Sequence, residues 1–439
     1  MSFRSGRTGL VSAMEEEIVE AADPAPEVLV PETTAQVETA AAEVTENTGE
    51  VEEMVAAVEE AADDAVALDD VADIMEESVE KGEGMDETAA AMAEVAVESI
   101  CARLGVKKTQ AVIPSLESFG SKNSRLQATR IALEGLKEKI VQIWNAIKAA
   151  VAKVASMVKS FLVGLLKNRK LLVSHLEGLK KKVGELDDAL VQKEAKLKGG
   201  YAAAFTVEGK ASEGTALQVL ESSAAAASAA KAVANIASKQ AAGLISGDAE
   251  KSKAALAKFG DLVESEVSKL GSVNFSGNQT VEGAKYFGRL AGGMSVGLVN
   301  GETMGVQVTM NTKELAKEID ALDKGGMAKI IDKAIAAAKA LQENEAMQKD
   351  LDAVTAACNK ASEAVIRGAA NAEKDADAKA AYAQEAKNVR TLNALVAKFG
   401  GSLPGVVFKA AKAGGDYVSA SLSNYKPKAE EKKEEVKAE

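Results

Sequence analysis

One histidine, His175, and two cysteines, Cys101 and Cys358, are all that a chain of 439 residues offers of those types. So little histidine removes most of the usual proton-transfer and metal-ligand repertoire. The cysteines form no CxxC pair, which leaves a disulfide framework unsupported and fits a reducing compartment. Aromatic residues supply 3% of the chain, with Trp144 the single tryptophan. An apolar fraction of 47% therefore rests on small aliphatic side chains, which suit close-packed helices better than deep aromatic-lined pockets. The N-terminal MSFRSGRTGL lacks the apolar run of a signal peptide. No window holds the roughly 18 uninterrupted apolar residues of a spanning helix. The nearest, residues 151–166, is broken by Lys153 and Lys159, so the chain is expected to be soluble and unsecreted.

Motifs of catalysis are missing too. His175 lies among Leu172, Val173 and Leu176 on a helical pattern with no nucleophile signature around it, and reads as an ordinary helix residue. GxxxxGK[ST] and GxGxxG do not occur. No enzyme activity and no cofactor or metal is expected; nothing in the sequence defines a pocket for paired carboxylates.

Charge is abundant and unevenly placed. Residues 1–100 carry 28 acids and three bases, whereas the whole chain has a formal net charge of −13, so the remainder is basic. From residue 15 to 98 the composition is Glu, Asp, Ala and Val, with Pro24, Pro26 and Pro31 and no aromatic residue. High charge with few large apolar groups gives little burial to offset the entropy of ordering. Residues 1–117 are accordingly expected to be a disordered acidic leader with transient helix over 51–75. A solubilising tail is the plainer alternative.

The remainder predicts a mainly α fold, with long helices in a bundle or an elongated hairpin array. Leu136, Ile140, Ile143, Ile147, Val151, Val154, Val158, Phe161 and Leu165 follow steps of three and four, which places them on one helical stripe. The pattern runs on through Leu172, Leu176, Leu179, Val183, Leu186 and Leu190 to Gly199-Gly200, giving one helix of some 70 residues that Gly164 or Gly178 would bend. Helices follow over 212–270 with a break at Ser246-Gly247-Asp248, making 118–270 a long helical region. Residues 271–312 form a small β region: alternation at Met294, Val296, Leu298 and at Met304, Val306, Val308, Met310 flanks Asn300-Gly301, a hairpin-turn signal. A third strand is expected at 272–275. A second helical region, 313–424, begins at an N-cap at Asn311 with Glu314 three residues on. Met347, Leu351, Val354, Cys358, Ala361 and Val365 keep helical spacing, and Gly400-Gly401 with Pro404 should end the run after Phe399. Residues 425–439 read as a charged, disordered tail.

One stretch carries seven bases and no acid between Glu138 and Glu177. Its Lys148, Lys153, Lys159, Lys167, Arg169 and Lys170 are candidates for contact with a DNA backbone, since lysines on phosphates give sequence-independent, salt-sensitive binding. The plain reading is a bundle helix with a solvated basic face. A membrane-surface helix using Phe161, Leu162, Leu165 and Leu166 is a third. Stacking aromatics are absent, which disfavours single-strand recognition.

The acidic region also repeats a tripeptide of small residue, any residue and Glu, a pattern common by chance in Ala- and Glu-rich sequence. Two copies stand where composition and charge change: Ser115-Leu116-Glu117, followed by the breaker-rich Ser118-Phe119-Gly120-Ser121, and Ala96-Val97-Glu98. An acidic leader, a small-x-Glu site, the segment SLESFGSKNSRLQATRIALEG and a mildly basic helical remainder together resemble the inner-body, or internal head, proteins of giant tailed phages of the phiKZ type. That resemblance implies a structural precursor, made in the host cytoplasm and cut by a prohead protease after Glu117, with Glu98 as second candidate. The mature protein would stay in the virion interior with other head proteins and non-specific double-stranded DNA, and would self-associate. Residues 118–439 carry +10 and residues 1–117 carry −23, so cutting would turn an anionic precursor into a cation. A prohead scaffold that is later removed, or a membrane-active helical protein, are the alternatives.

Overall fold

The computed structural model describes residues 31–103, 113–187, 190–192, 195–275, 277, 281–300, 304–310, 314–342, 347–371 and 376–427. The chain is mainly α. Its elements are α1 (Pro31–Glu80), α2 (Glu87–Arg103), a 3-10 turn (Leu116–Phe119), α3 (Lys122–Gly184), β1 (Leu190–Gln192), β2 (Lys196–Lys198) and α4 (Gly200–Ala204). There follow α5 (Glu213–Leu244), α6 (Ala249–Val267), β3 (Lys285–Leu290), β4 (Met294–Val299), β5 (Gly305–Met310) and β6 (Glu318–Asp320). The last are α7 (Lys324–Ala340), α8 (Met347–Asn371), α9 (Ala376–Ala397), a π turn (Lys398–Ser402), α10 (Leu403–Ser423) and β7 (Tyr425–Pro427).

The long helix α3 is the spine. Its 63 residues span about 95 Å at 1.5 Å per residue. It starts at a capping box in which Ser121 Oγ accepts from Ser124 N, and it ends with Lys181 and Lys182 beside the negative end of the helix dipole. All nine residues of the expected stripe are buried, as are Leu172, Leu176, Leu179 and Val183. The helix stops at Gly184 rather than at Gly199, because the next apolar residues are taken by two short strands, β1 and β2. These pair with β7 and β6, respectively.

The largest departure from expectation is the acidic segment. Residues 31–80 form a continuous helix of 50 residues, and its contact with α3 is the most extensive between any two elements. Val37, Ala40, Val44, Val51, Val55, Val58, Ala62, Ala65, Leu68, Ala72 and Met75 are all buried. Their three- and four-residue steps make a seam of the coiled-coil kind. The weakness of Ala and Val as apolar groups is offset by the number of turns, and most of the acids occupy the outer face, Asp64 being buried at 6% exposure. Residues 1–30 lie outside the described residues.

Corrections elsewhere are local. The third strand is β3, not residues 272–275; Ser272 makes only an isolated bridge to Phe287. A register shift between Phe287 and Leu290 interrupts the alternation that would have marked β3 in sequence. The hairpin joins β4 to β5 with Val299 opposite Gly305, a longer loop than a two-residue Asn-Gly turn. Asn311 lies outside the described residues, and the next helix begins at Lys324, where Asp323 accepts from Gly326 N. Gly400-Gly401 do not end a helix. The chain passes through a π turn and continues as α10, with Pro404 in its first turn, where a missing N–H costs little. Tyr425–Pro427 pair with β1 instead of joining a free tail; residues 428–439 lie outside the described residues. One apolar core runs through the whole, from Val37 in α1 to Val418 in α10.

Candidate functional site

Two places inherit the expectations of the sequence: the linker around Glu117 and the basic side of α3. In the linker, Ser115 precedes a single 3-10 turn that carries Leu116 and Glu117. Ser115 O accepts from Ser118 N at 2.8 Å, and the two hydroxyls lie 3.3 Å apart. Ser115 and Glu117 are exposed, Leu116 is half-buried, and Ile113 and Phe119 are buried on either side. The peptide after Glu117 is thus presented on a short turn pinned at both flanks. The second candidate differs. Ala96, Val97 and Glu98 lie within α2, with Val97 turned into the core at 3% exposure. A protease reads an extended strand, so reaching Glu98 requires unwinding a packed helix, whereas Glu117 requires opening one turn.

The six basic candidates divide into two groups. Lys148 pairs with Glu363 at 2.6 Å and Lys159 pairs with Asp352, both acids on α8. Arg169 donates to Gln342 at 3.0 Å. These three side chains tie α3 to its own neighbours. Lys153, Lys167 and Lys170 are exposed, and no ion pair involves them among the described residues. The same face of α3 carries exposed Ala149, Ala152, Ser156, Ser160 and Val163. By length and composition α3 and the stretch 383–423 are long and apolar enough to cross a membrane. Phe161, Leu162 and Leu165 are nevertheless core residues, so placing them in a bilayer would take the bundle apart.

The acidic helix docks through polar contacts as well as its seam. Asn168 Nδ2 donates to Glu43 at 3.2 Å, and Lys137 pairs with Glu76 at 3.4 Å. These anchors fall in opposite order on the two helices, so α1 runs antiparallel to α3. Glu52 accepts from Ser402 Oγ at 2.7 Å and from Lys398 Nζ at 3.2 Å, and Asp63 pairs with Arg390. Burial raises the Glu59 carboxyl above its usual range, opposed by the charges of Arg390 and Lys398. Sequence reasoning missed this interface. The signal available was the heptad spacing of Val and Ala under the run of acids.

Other titratable groups have structural surroundings. His175 is pushed down mainly by burial, with Asp416 opposing. Burial lifts the Cys358 thiol to about 12. Among the described residues no three His, Cys, Asp or Glu side chains gather as a metal site. A shallow cleft of about 430 Å³ is bordered by Asp261, Glu264, Lys285 and Asn300, where Lys285 pairs with Glu264 at 2.5 Å and Asn300 donates to Asp261 at 3.3 Å.

No curated protein and no solved structure matches the chain. The family model of phiKZ-like phage internal head proteins matches residues 46–420, a span that begins inside α1, crosses the linker and reaches into α10. A match over that much of the chain settles its affiliation and its location within the capsid: the protein belongs to the phiKZ-like phage internal head proteins.

Proposed function

We propose that this head protein is a non-enzymatic structural element that is cut after Glu117 and meets packaged DNA through Lys153, Lys167 and Lys170. The observation that carries the reading is the contrast between the two small-x-Glu sites. Glu117 sits exposed on a single turn between helices, whereas the Glu98 site is sealed into α2 by Val97. A prohead protease is the partner this implies, with other head components as neighbours.

The structural reading also revises what the cut accomplishes. Because α1 is packed along α3, cleavage removes a covalent tether without by itself removing the acidic charge. Contact with DNA therefore falls to the three lysines left open, on the face of α3 that α1 does not cover. Their attraction to phosphates is non-specific and screened by salt. The intact mass of the protein recovered from finished particles tests the cleavage. A chain beginning at Ser118 is expected; a full-length species alone, or a new terminus inside α2, overturns it.

A further inference from the structure

We infer that the groove formed by α3, the π turn and the start of α10 is a receptor that keeps the acidic helix α1 bound as a separate chain once the linker is severed. The inference takes its occasion from cleavage after Glu117, but its physical basis is the fit between helix and groove.

Three features of that fit point to a dedicated ligand site. First, the seam is continuous: buried residues from Val37 to Met75 recur on every turn or two, with Thr48 filling the one gap between Val44 and Val51. Second, the groove is shaped to seat the side chains of the helix closely. A Cβ on Gly405 would lie 2.8 Å from Thr48 Oγ1, and one on Gly401 would lie 3.3 Å from Val51 Cγ1. A Cβ on Gly400 would meet Val158 of α3 at 2.6 Å, so the same turn is pressed against the spine. Glycines inside helices cost stability. Here they let the π turn sit between α1 and α3. Third, polar contacts meet the helix at separate levels: Glu43 on Asn168, Glu52 on Ser402 and Lys398, Asp63 on Arg390, and Glu76 on Lys137. A slide of seven residues one way would bring Gln36, Thr45 and Ala56 to the first three of these levels and lose their carboxylates; the opposite slide would bring Glu50, Glu59 and Asp70 there, so the carboxylates exclude the first slide only.

The partner this surface recognises is therefore specified chemically. It is a long helix with a Val/Ala seam, a small residue opposite Gly405, and carboxylates spaced to meet Asn168, Ser402, Arg390 and Lys137. The covalent link itself adds only local concentration, while α2 and Met85, whose N–H donates to Thr129 Oγ1 at 2.9 Å, stay with the acidic fragment and add to its hold on α3. Losing that tether leaves the seam untouched. Exposed charge pairs are weak and salt-sensitive, so a helix held by them alone would leave in high salt. A helix held by its seam would not.

The test uses the full chain with a recognition sequence for a site-specific protease inserted between Pro114 and Ser115. After cutting, gel filtration at micromolar concentration is run in low salt and in about 1 M NaCl, where screening acts within about 3 Å. Both fragments should co-elute in equal amounts under both conditions. Separation of the acidic fragment in either buffer overturns the inference. In the same background Gly405→Leu should release the fragment on cutting while the uncut variant keeps its helical circular dichroism; retention by that variant also counts against the groove. Should Gly405→Leu lose its fold before cutting, Val51→Asp on the acidic side replaces it, with release expected and retention contrary. Because the cut is engineered, the result is independent of whether particles contain a chain beginning at Ser118. A chain cut in the head whose acidic fragment falls away would leave the processing reading intact and reject this one.

Discussion

Glu385 is a carboxylate inside a helical core, and its place there follows from what it caps. α5 ends at Leu244 and α6 starts at Ala249, leaving a tight corner at Ser246-Gly247-Asp248. Glu385 accepts from Gly247 N at 2.7 Å, and Asn388, one turn later on α9, donates to Leu244 O at 2.7 Å. A carbonyl that the end of α5 leaves unpaired and an N–H of the corner are thus satisfied from a third helix. Burial raises the Glu385 carboxyl, with the Gly247 hydrogen bond opposing. A raised carboxyl favours the protonated form in the folded state, so its contribution is most favourable at low pH and is lost as pH rises through the folded value. Glu385→Gln, which keeps an acceptor and drops the charge, should be at least as stable as the parent at pH 7. The difference should close as pH falls toward the ordinary carboxylate range. Glu385→Leu removes the acceptor of the Gly247 N–H, which lies on an exposed residue, and should cost about 1 kcal/mol. Thermal melts of both variants at pH 7 and pH 5 would decide; a marked loss in the Gln variant at pH 7 would mean the negative charge itself is required.

At the scale of the element, α1 is where sequence and structure part. Its outward face carries the acids that drive composition toward disorder, and Ala and Val bury little area singly. What stabilises it is a partner longer than itself, 63 residues against 50, information that lies in α3 rather than in α1. By contrast, α3 was legible because Leu, Ile and Phe mark its stripe, and the helix break at Gly247 because Asp248 supplies a cap. The pinned turn at Glu117 was legible as a change of composition, though its exposure was not. The intramolecular use of Lys148, Lys159 and Arg169 was hidden for the reason that hid α1: their partners are distant in sequence. If the seam holds α1, Val58→Ala should lower stability by about 2 kcal/mol, as expected for deleting buried methyl groups. The exposed Glu53→Gln should stay within about 0.5 kcal/mol. Urea unfolding of the two variants separates a docked helix from a solubilising tail, since a tail would make both changes silent.

At the scale of the whole molecule, docking of α1 governs the charge that the protein presents. A freed body would be cationic, but a body that keeps α1 remains anionic overall, and the proposed DNA contact would be confined to the open side of α3. Nicking the linker should therefore leave duplex affinity unchanged. Substituting Lys153, Lys167 and Lys170 together by Ala should flatten the slope of log affinity against log salt by about 2.7, if each meets one phosphate. Fluorescence anisotropy with a duplex of arbitrary sequence measures both. A large gain on nicking would show α1 acting as a mask that departs, and an unchanged slope in the triple variant would remove these lysines from the interface.

The antiparallel lie of α1 on α3 also sorts the exits of the chain. Glu43 meets Asn168 and Glu76 meets Lys137, so the start of α1 lies toward Gly184, close to where β1 pairs with β7. Residues 31 and 427 thus leave the helical body at one pole, and the linker before Lys122 occupies the other. The described ends of the chain at residues 31 and 427 therefore lie toward one pole, nearly a full helix length from the turn at Glu117. The proposed cut at the far pole would leave that arrangement of the two ends undisturbed.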